Sequence, residues 1–241
     1  MASRPSLPGS WCHAGTVREY VFLTKRLVIL VSGRGSNLQS ILAACRSGQI
    51  PDTQVVAVVS NRPAAGALEL AALAGIPALT VDHRDYGARV DFDAALQRRI
   101  DDYAPDVVAL AGFMRQLTPA FVQHYEGRML NVHPSLLPAF PGLHTHARAL
   151  EQGVLWHGAS VHFVTSALDA GPAIIQAAVA VLPEDDEQSL AARVLDAEHR
   201  IYPQALAWLL AGRVAYAAGR AQWRDPPETA MREAIAPSLE M

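Results

Sequence analysis

Asn131 and His133 are the residues whose types and spacing most directly suggest chemistry. They stand in Asn131-Val132-His133-Pro134-Ser135-Leu136-Leu137-Pro138, which closes an apolar run and opens a loop holding Pro134, Pro138 and Pro141. Two apart on an extended strand, their side chains leave from the same face. Pro134 disfavours both continued pairing and an immediate helix, which predicts that the strand ends at His133. The pair then sits at the carboxyl end of a strand, where open α/β sheets bind ligands. An asparagine N–H can stabilise charge growing on a carbonyl oxygen. An imidazole can donate to that oxygen as imidazolium, or move protons to and from an attacking amine. By itself so short a pattern is more often a turn cap beside a hydrogen-bonded histidine, so the residues around it must carry the argument.

Asp169, in Leu168-Asp169-Ala170-Gly171-Pro172, is the carboxylate expected to join the pair, orienting the imidazole and favouring its charged form. No serine or cysteine stands in a nucleophile elbow, so a covalent acyl-enzyme is not indicated. Asn131, His133 and Asp169 together suit acyl or one-carbon transfer between two bound partners, driven by positioning and electrostatics. A second candidate is Ser32-Gly33-Arg34-Gly35-Ser36-Asn37, between a β-rich run and a helical pattern. Strand, glycine turn and helix start aim free backbone N–H groups at an anion. The turn is neither a P-loop, lacking Gly-Lys-Ser/Thr, nor a full dinucleotide fingerprint, with Leu38 at the third glycine position. A bound phosphate and a plain tight turn both fit it.

The elements that must position these groups follow from periodicity. Strands are expected at Leu27–Val31, Val55–Ser60, Ala78–Val81, Val107–Ala111, up to His133, Gly158–Val164 and Ala173–Leu182. Helical spacing falls between them: after Ser36, over Ala65–Ala74, Asp91–Tyr103, Pro119–Tyr125 and His144–Glu151, and up to about Leu210. Strands alternating with helices predict an α/β fold, a doubly wound and mostly parallel sheet with a Rossmann-like amino-terminal half. Gly112-Phe113-Met114-Arg115-Gln116-Leu117 follows the fourth strand, where a Met and an aromatic could line a flat pocket. The acidic run Glu184–Glu187 reads as complementation of a helix dipole. Domain organisation is expected as a disordered extension over 1–25, one catalytic domain over 26–215 and a tail over 216–241.

The 241 residues are 51% hydrophobic and 18% charged, enough for a sizeable core. A net charge of −3 gives no general attraction for nucleic acid or acidic membranes, so any substrate charge must be met locally. Cys12 and Cys45 are too few for a disulfide framework and suggest a reducing, cytoplasmic compartment. No signal peptide or membrane span is expected. His162, between apolar neighbours, reads as a satisfied core histidine. His144 and His146 lack partners at metal-ligand spacing, so no metal is expected.

The Asn131–Pro138 stretch resembles the signature of the folate-dependent formyltransferases. The continuation Pro141-Gly142-Leu143-His144-Thr145-His146, with Leu168–Pro172 downstream, is similar to the members of that family that act on glycinamide ribonucleotide. The resemblance runs from about Leu27 to Val214. It implies attack by the glycyl amine of 5'-phosphoribosylglycinamide on the formyl group of 10-formyltetrahydrofolate as co-substrate, the third step of de novo purine synthesis. It further implies Asn131, His133 and Asp169 as catalytic residues, and Gly35, Ser36, Asn37 and Glu198 around the substrate's phosphate and ribose. Met114, Arg115, Gln116 and Leu117, with the Val164–Asp169 stretch, would hold the folate. Partners would be these small molecules alone, in a monomer or homodimer.

Four positions depart from the family pattern: Arg34 where an uncharged residue is usual, Gln116 among apolar positions, Ala170 for the first glycine of a pair, and Leu195 where a polar residue is expected. Rival readings are methionyl-tRNA formyltransferase, which should need a further basic domain, and formyltetrahydrofolate hydrolase, in which water replaces the amine. A non-catalytic nucleotide-binding module remains from a different class.

Overall fold

The structure is a computed structural model describing residues 24–228. Most of the expected 1–25 extension and the end of the 216–241 tail lie outside those residues. The elements run β1 (Lys25–Val31), α1 (Ser36–Ser47), β2 (Thr53–Ser60), α2 (Gly66–Leu73), β3 (Ala78–Thr80), α3 (Arg89–Asp101), β4 (Val107–Leu110), α4 (Pro119–His124), β5 (Met129–His133), α5 (Thr145–Glu151), β6 (Trp156–Phe163), β7 (Ala173–Ala180), α6 (Glu187–Leu210), β8 (Val214–Ala217) and β9 (Arg220–Trp223).

Seven strands form one sheet in the order β3-β2-β1-β4-β5-β6-β7. β3, β2, β1, β4 and β5 are parallel to one another, β6 pairs antiparallel with β5, and β7 pairs antiparallel with β6. The sheet is thus the doubly wound, mostly parallel one that the alternating pattern predicts. β1 shows why its sequence is continuously apolar, since Leu27 to Val31 are all fully buried. Alternation sends Leu27, Ile29 and Val31 into a core shared with α1 and α6. Val28 and Leu30 enter a second core with Phe92, Leu96, Ile100, Phe121 and Tyr125 of α3 and α4. A strand covered on both faces has no polar face to show.

The strand order reverses between β1 and β4, so the loops leaving their carboxyl ends part and open a crevice. α6 is anchored at its start by two neighbouring acids with separate tasks. Asp186 caps the helix by accepting from the Ser189 backbone N–H, and Ser189 returns a bond to the Asp186 N–H. Asp185 ion-pairs with Arg193, which holds its carboxyl well below the usual carboxylate range. The acidic run therefore does more than complement a dipole.

The expected boundary at 215/216 falls inside β8. β8 and β9 form an antiparallel hairpin, with Trp223 edge-on to Trp208 of α6 and Tyr216 against Phe163. The polar spacing of this segment hid two four-residue strands that aromatic packing stabilises.

Candidate active site

Asn131 and His133 arrive at the carboxyl edge together on β5, and Asp169 on the link between β6 and β7. β5 ends at His133, as Pro134 requires, and its register sets Leu110 of β4 beside Asn131 on one flank and His162 of β6 on the other. His133 is 5% exposed. Its Nε2 lies 2.9 Å from the Phe140 carbonyl oxygen, which can only accept, so Nε2 carries hydrogen. Its Nδ1 lies 3.4 Å from Asp169 Oδ2. Both ring nitrogens thus face acceptors of the chain itself.

Asp169 takes a left-handed backbone conformation, φ 48°, in the β6–β7 link, and Oδ2 also accepts from the Gly142 N–H at 2.9 Å. One carboxylate therefore ties the link to the proline-rich loop and to His133. The link passes so close beneath that a Cβ on Gly171 would fall 1.7 Å from the Phe163 carbonyl oxygen. That glycine is obligatory whatever precedes it.

His162 is the residue the sequence placed in the core and the structure places in both settings. It is 2% exposed, its Nδ1 donates to the Phe163 carbonyl at 2.9 Å, and its Nε2 lies 3.2 Å from Asn131 Nδ2. Burial pushes its pKa down, against the Phe163 carbonyl and Asp169, which raise it. A neutral ring with hydrogen on Nδ1 accepts at Nε2, so Asn131 spends one N–H on His162 and keeps the other. Nothing in the sequence signals this, because it depends on the β5–β6 register.

The cleft beside Asn131 is lined by Arg115, Gln116 and Leu117, by Val164 to Asp169 and by His162. Leu117 is buried, and the Arg115 guanidinium sits 5.5 Å from the centre of the Phe92 ring. Met114 stands apart from this lining. Its side chain is exposed, and its backbone N–H donates to Ser32 Oγ at 2.7 Å. Ser32 also donates to Asn61 Oδ1 at 2.6 Å, so one buried hydroxyl joins the ends of β1, β2 and β4. The sequence placed Ser32 in the glycine turn but gave neither it nor Asn61 this linking role, although each directly follows a strand.

Gly35, Ser36 and Asn37 begin α1. Gly35 has φ 89°, and a Cβ there would lie 2.8 Å from Ala67 Cβ, so both conformation and packing demand glycine. No side chain caps α1, which leaves its first backbone N–H groups unspent. Asn37 reaches across to α6, where its Nδ2 donates to Glu198 Oε2 at 2.6 Å. Burial pushes the Glu198 carboxyl up to about 7, against the pull of that bond. Asn37 Oδ1 is buried without a partner. This second centre is joined to the first by Tyr202, one turn along α6 from Glu198, whose phenol contacts the carbonyl oxygens of Leu110 and Leu130 at 3.0 and 3.1 Å.

Leu195 is half-buried on α6, and Ala170 is held by its N–H to the Ala167 carbonyl. Among the described residues, no cluster of three or more His, Cys, Asp or Glu could hold a metal ion, and no helix is long and apolar enough to cross a membrane.

Residues 25–206 match the family described as Formyl transferase. The chain is 54% identical over 188 residues to the phosphoribosylglycinamide formyltransferase of Escherichia coli, covering 78% of this chain and 88% of that protein. The solved phosphoribosylglycinamide formyltransferase of Coxiella burnetii superposes with a TM-score of 0.80 at 46% identity, over 85% of this chain and 96% of that one. A formyltetrahydrofolate deformylase from Pseudomonas syringae superposes with a TM-score of 0.77 at 28% identity, over 84% of this chain and 66% of that one.

Proposed function

The chain belongs to the formyl transferase family, and from that premise we propose that it moves the formyl group of 10-formyltetrahydrofolate to the glycyl amine of 5'-phosphoribosylglycinamide, the third step of de novo purine synthesis. Phosphoribosylglycinamide formyltransferases at 46% and 54% identity, against 28% for the deformylase, favour the amine over water as acceptor. The observation that carries the chemistry is the buried contact of His133 Nδ1 with Asp169 Oδ2 at 3.4 Å, beside the remaining N–H of Asn131.

The folate enters the cleft between Arg115–Leu117 and Val164–Asp169, with Met114 at its rim. The ribonucleotide lies across the start of α1, its phosphate against Gly35, Ser36 and Asn37 and its ribose hydroxyls toward Glu198. Its amine then meets the formyl carbon between the two centres. As the new N–C bond forms, the formyl oxygen gains negative charge, which the free N–H of Asn131 and the imidazolium of His133 stabilise. Asp169 holds that imidazolium and receives, through water, the proton that the ammonium must lose. Breaking the bond to the folate nitrogen, with a proton delivered to it, releases tetrahydrofolate and the formylated ribonucleotide. Fixing both partners converts a bimolecular reaction into an effectively unimolecular one.

The test is a spectroscopic assay of deformylated folate release with both substrates. Release that requires the ribonucleotide supports the transferase. Release without it assigns the hydrolase, and binding of both substrates without release assigns a non-catalytic module.

A further inference from the structure

We propose that Arg34 and Arg62, on adjacent loops at the carboxyl edge of the sheet, form a two-guanidinium rim that binds the dianionic phosphate of the substrate beside the start of α1. The proposal rests on the ribonucleotide reading of this site.

Both arginines are exposed, and among the described residues neither guanidinium has a hydrogen-bond or ion-pair partner. Arg84, Arg128, Arg193 and Arg213, by contrast, are engaged by Asp82, the Pro105 carbonyl, Asp185 and Asp225. Their backbones are held together by the fold. Ser32 Oγ bonds Asn61 Oδ1 at 2.6 Å, the Ala67 N–H donates to the Gly33 carbonyl at 3.1 Å, and a Cβ on Gly66 would lie 3.8 Å from Arg34 Cα. Neither Ser32–Asn37 nor Ser60–Ala65 contains an acidic residue. Two like charges on touching loops, with no acid in either loop, repel one another until an anion arrives.

The start of α1, which directly follows Arg34, supplies the rest of an anion site. Gly35 offers no side-chain cap, so the first N–H groups of α1 are unspent, and Asn37 Oδ1, on a side chain 8% exposed, is buried with no partner. Unspent donors beside a stranded acceptor fit a ligand that both accepts and donates, as a sugar phosphate does. A guanidinium presents paired N–H groups that match two phosphate oxygens at once, and two of them match the double charge of a phosphomonoester.

The experiment compares wild type with Arg34→Ala, Arg62→Ala, the double variant and Arg34→Lys in steady-state kinetics at several ionic strengths. Expected is a roughly tenfold rise in ribonucleotide KM for each alanine variant, a larger one for the double variant, and partial retention in Arg34→Lys. The kcat and the KM for formyl-folate stay at wild-type values. Raising salt from about 0.01 to 0.2 M raises the wild-type KM steeply and that of the double variant little, because only the former relies on a screened charge pair. A double variant with wild-type KM and wild-type salt dependence overturns the proposal while leaving the transferase reading intact. If the wild type turns over no ribonucleotide, that reading fails, and calorimetric titration with inorganic phosphate tests the rim alone. Phosphate binding that the double variant loses then supports the rim. Equal binding by both proteins, or none by wild type, overturns it.

Discussion

His133 is held between two acceptors of its own chain, the Phe140 carbonyl at 2.9 Å from Nε2 and Asp169 Oδ2 at 3.4 Å from Nδ1. The carboxylate orients the ring, and under the proposed reading the two act together on the formyl group. Asp169→Asn keeps an oxygen for the Gly142 N–H but removes the carboxylate. Its kcat should fall about 10²–10³-fold, with the ribonucleotide KM changing by less than about threefold. His133→Ala should fall at least as far, and the double variant no further than the worse single one, since the two act as a unit. Wild-type kcat in Asp169→Asn would sink the pairing.

The placement of Asn131 and His133 at a strand end was legible because strand alternation and a following proline constrain them locally, whereas the approach of Asp169 to His133 comes from the β6–β7 link. The sheet was legible too, since strands covered on both faces must be continuously apolar. His162 was legible only as a core histidine; its bond to Asn131 exists because β5 and β6 pair Asn131 opposite His162, a register no local pattern encodes. The bonds of Ser32 escaped for the same reason, its partners lying 29 and 82 residues away. The β8–β9 hairpin escaped because its stability comes from Trp208 and Phe163, not from its own alternation.

Glu198 gives a pH dependence of definite sign. Burial raises its carboxyl from 4.5 to about 7, while the Asn37 bond opposes the rise. The folded state then binds more protons than the unfolded one between those values, so stability falls as pH increases through that window. The contribution is complete below about pH 4.5 and lost above about pH 7, a swing on the order of 3 kcal/mol. Urea unfolding of wild type and Glu198→Gln at pH 5, 6, 7 and 8 measures it. The wild type should lose stability relative to the variant up to pH 7 and run parallel beyond. A constant difference across the series would show that the carboxyl titrates normally.

Tyr202 should matter to chemistry from outside the site. Its phenol is fully buried and lies within hydrogen-bond distance of the Leu110 and Leu130 carbonyls, the latter one residue before Asn131. Tyr202→Phe keeps the ring and removes the donor. Loss of one buried hydrogen bond predicts about 1–2 kcal/mol of destabilisation in urea unfolding. Because β5 is also the strand that carries Asn131, kcat should drop severalfold while the ribonucleotide KM holds. Destabilisation with unchanged kcat would confine Tyr202 to packing.

Gly35→Ala tests whether the start of α1 needs the conformation it has. A residue with φ 89° strains any side chain, and here the added Cβ would meet Ala67 Cβ at 2.8 Å and Leu70 Cδ1 at 3.1 Å. The leucine can turn aside, but Ala67 is fully buried on α2 and cannot. Relief therefore requires α1 and α2 to separate, at a cost of about 1–3 kcal/mol. The same movement shifts Ser36 and Asn37 away from the phosphate and strains the Asn37–Glu198 bond. The variant should accordingly show a lowered unfolding midpoint together with a ribonucleotide KM raised tenfold or more, while the KM for formyl-folate is preserved. Gly33→Ala is the control, because nothing lies within 4 Å of its added Cβ and both constants should stay near wild type. Equal loss of affinity in the two variants would mean that backbone freedom of the whole turn, and not the packing of Gly35 on α2, governs phosphate binding.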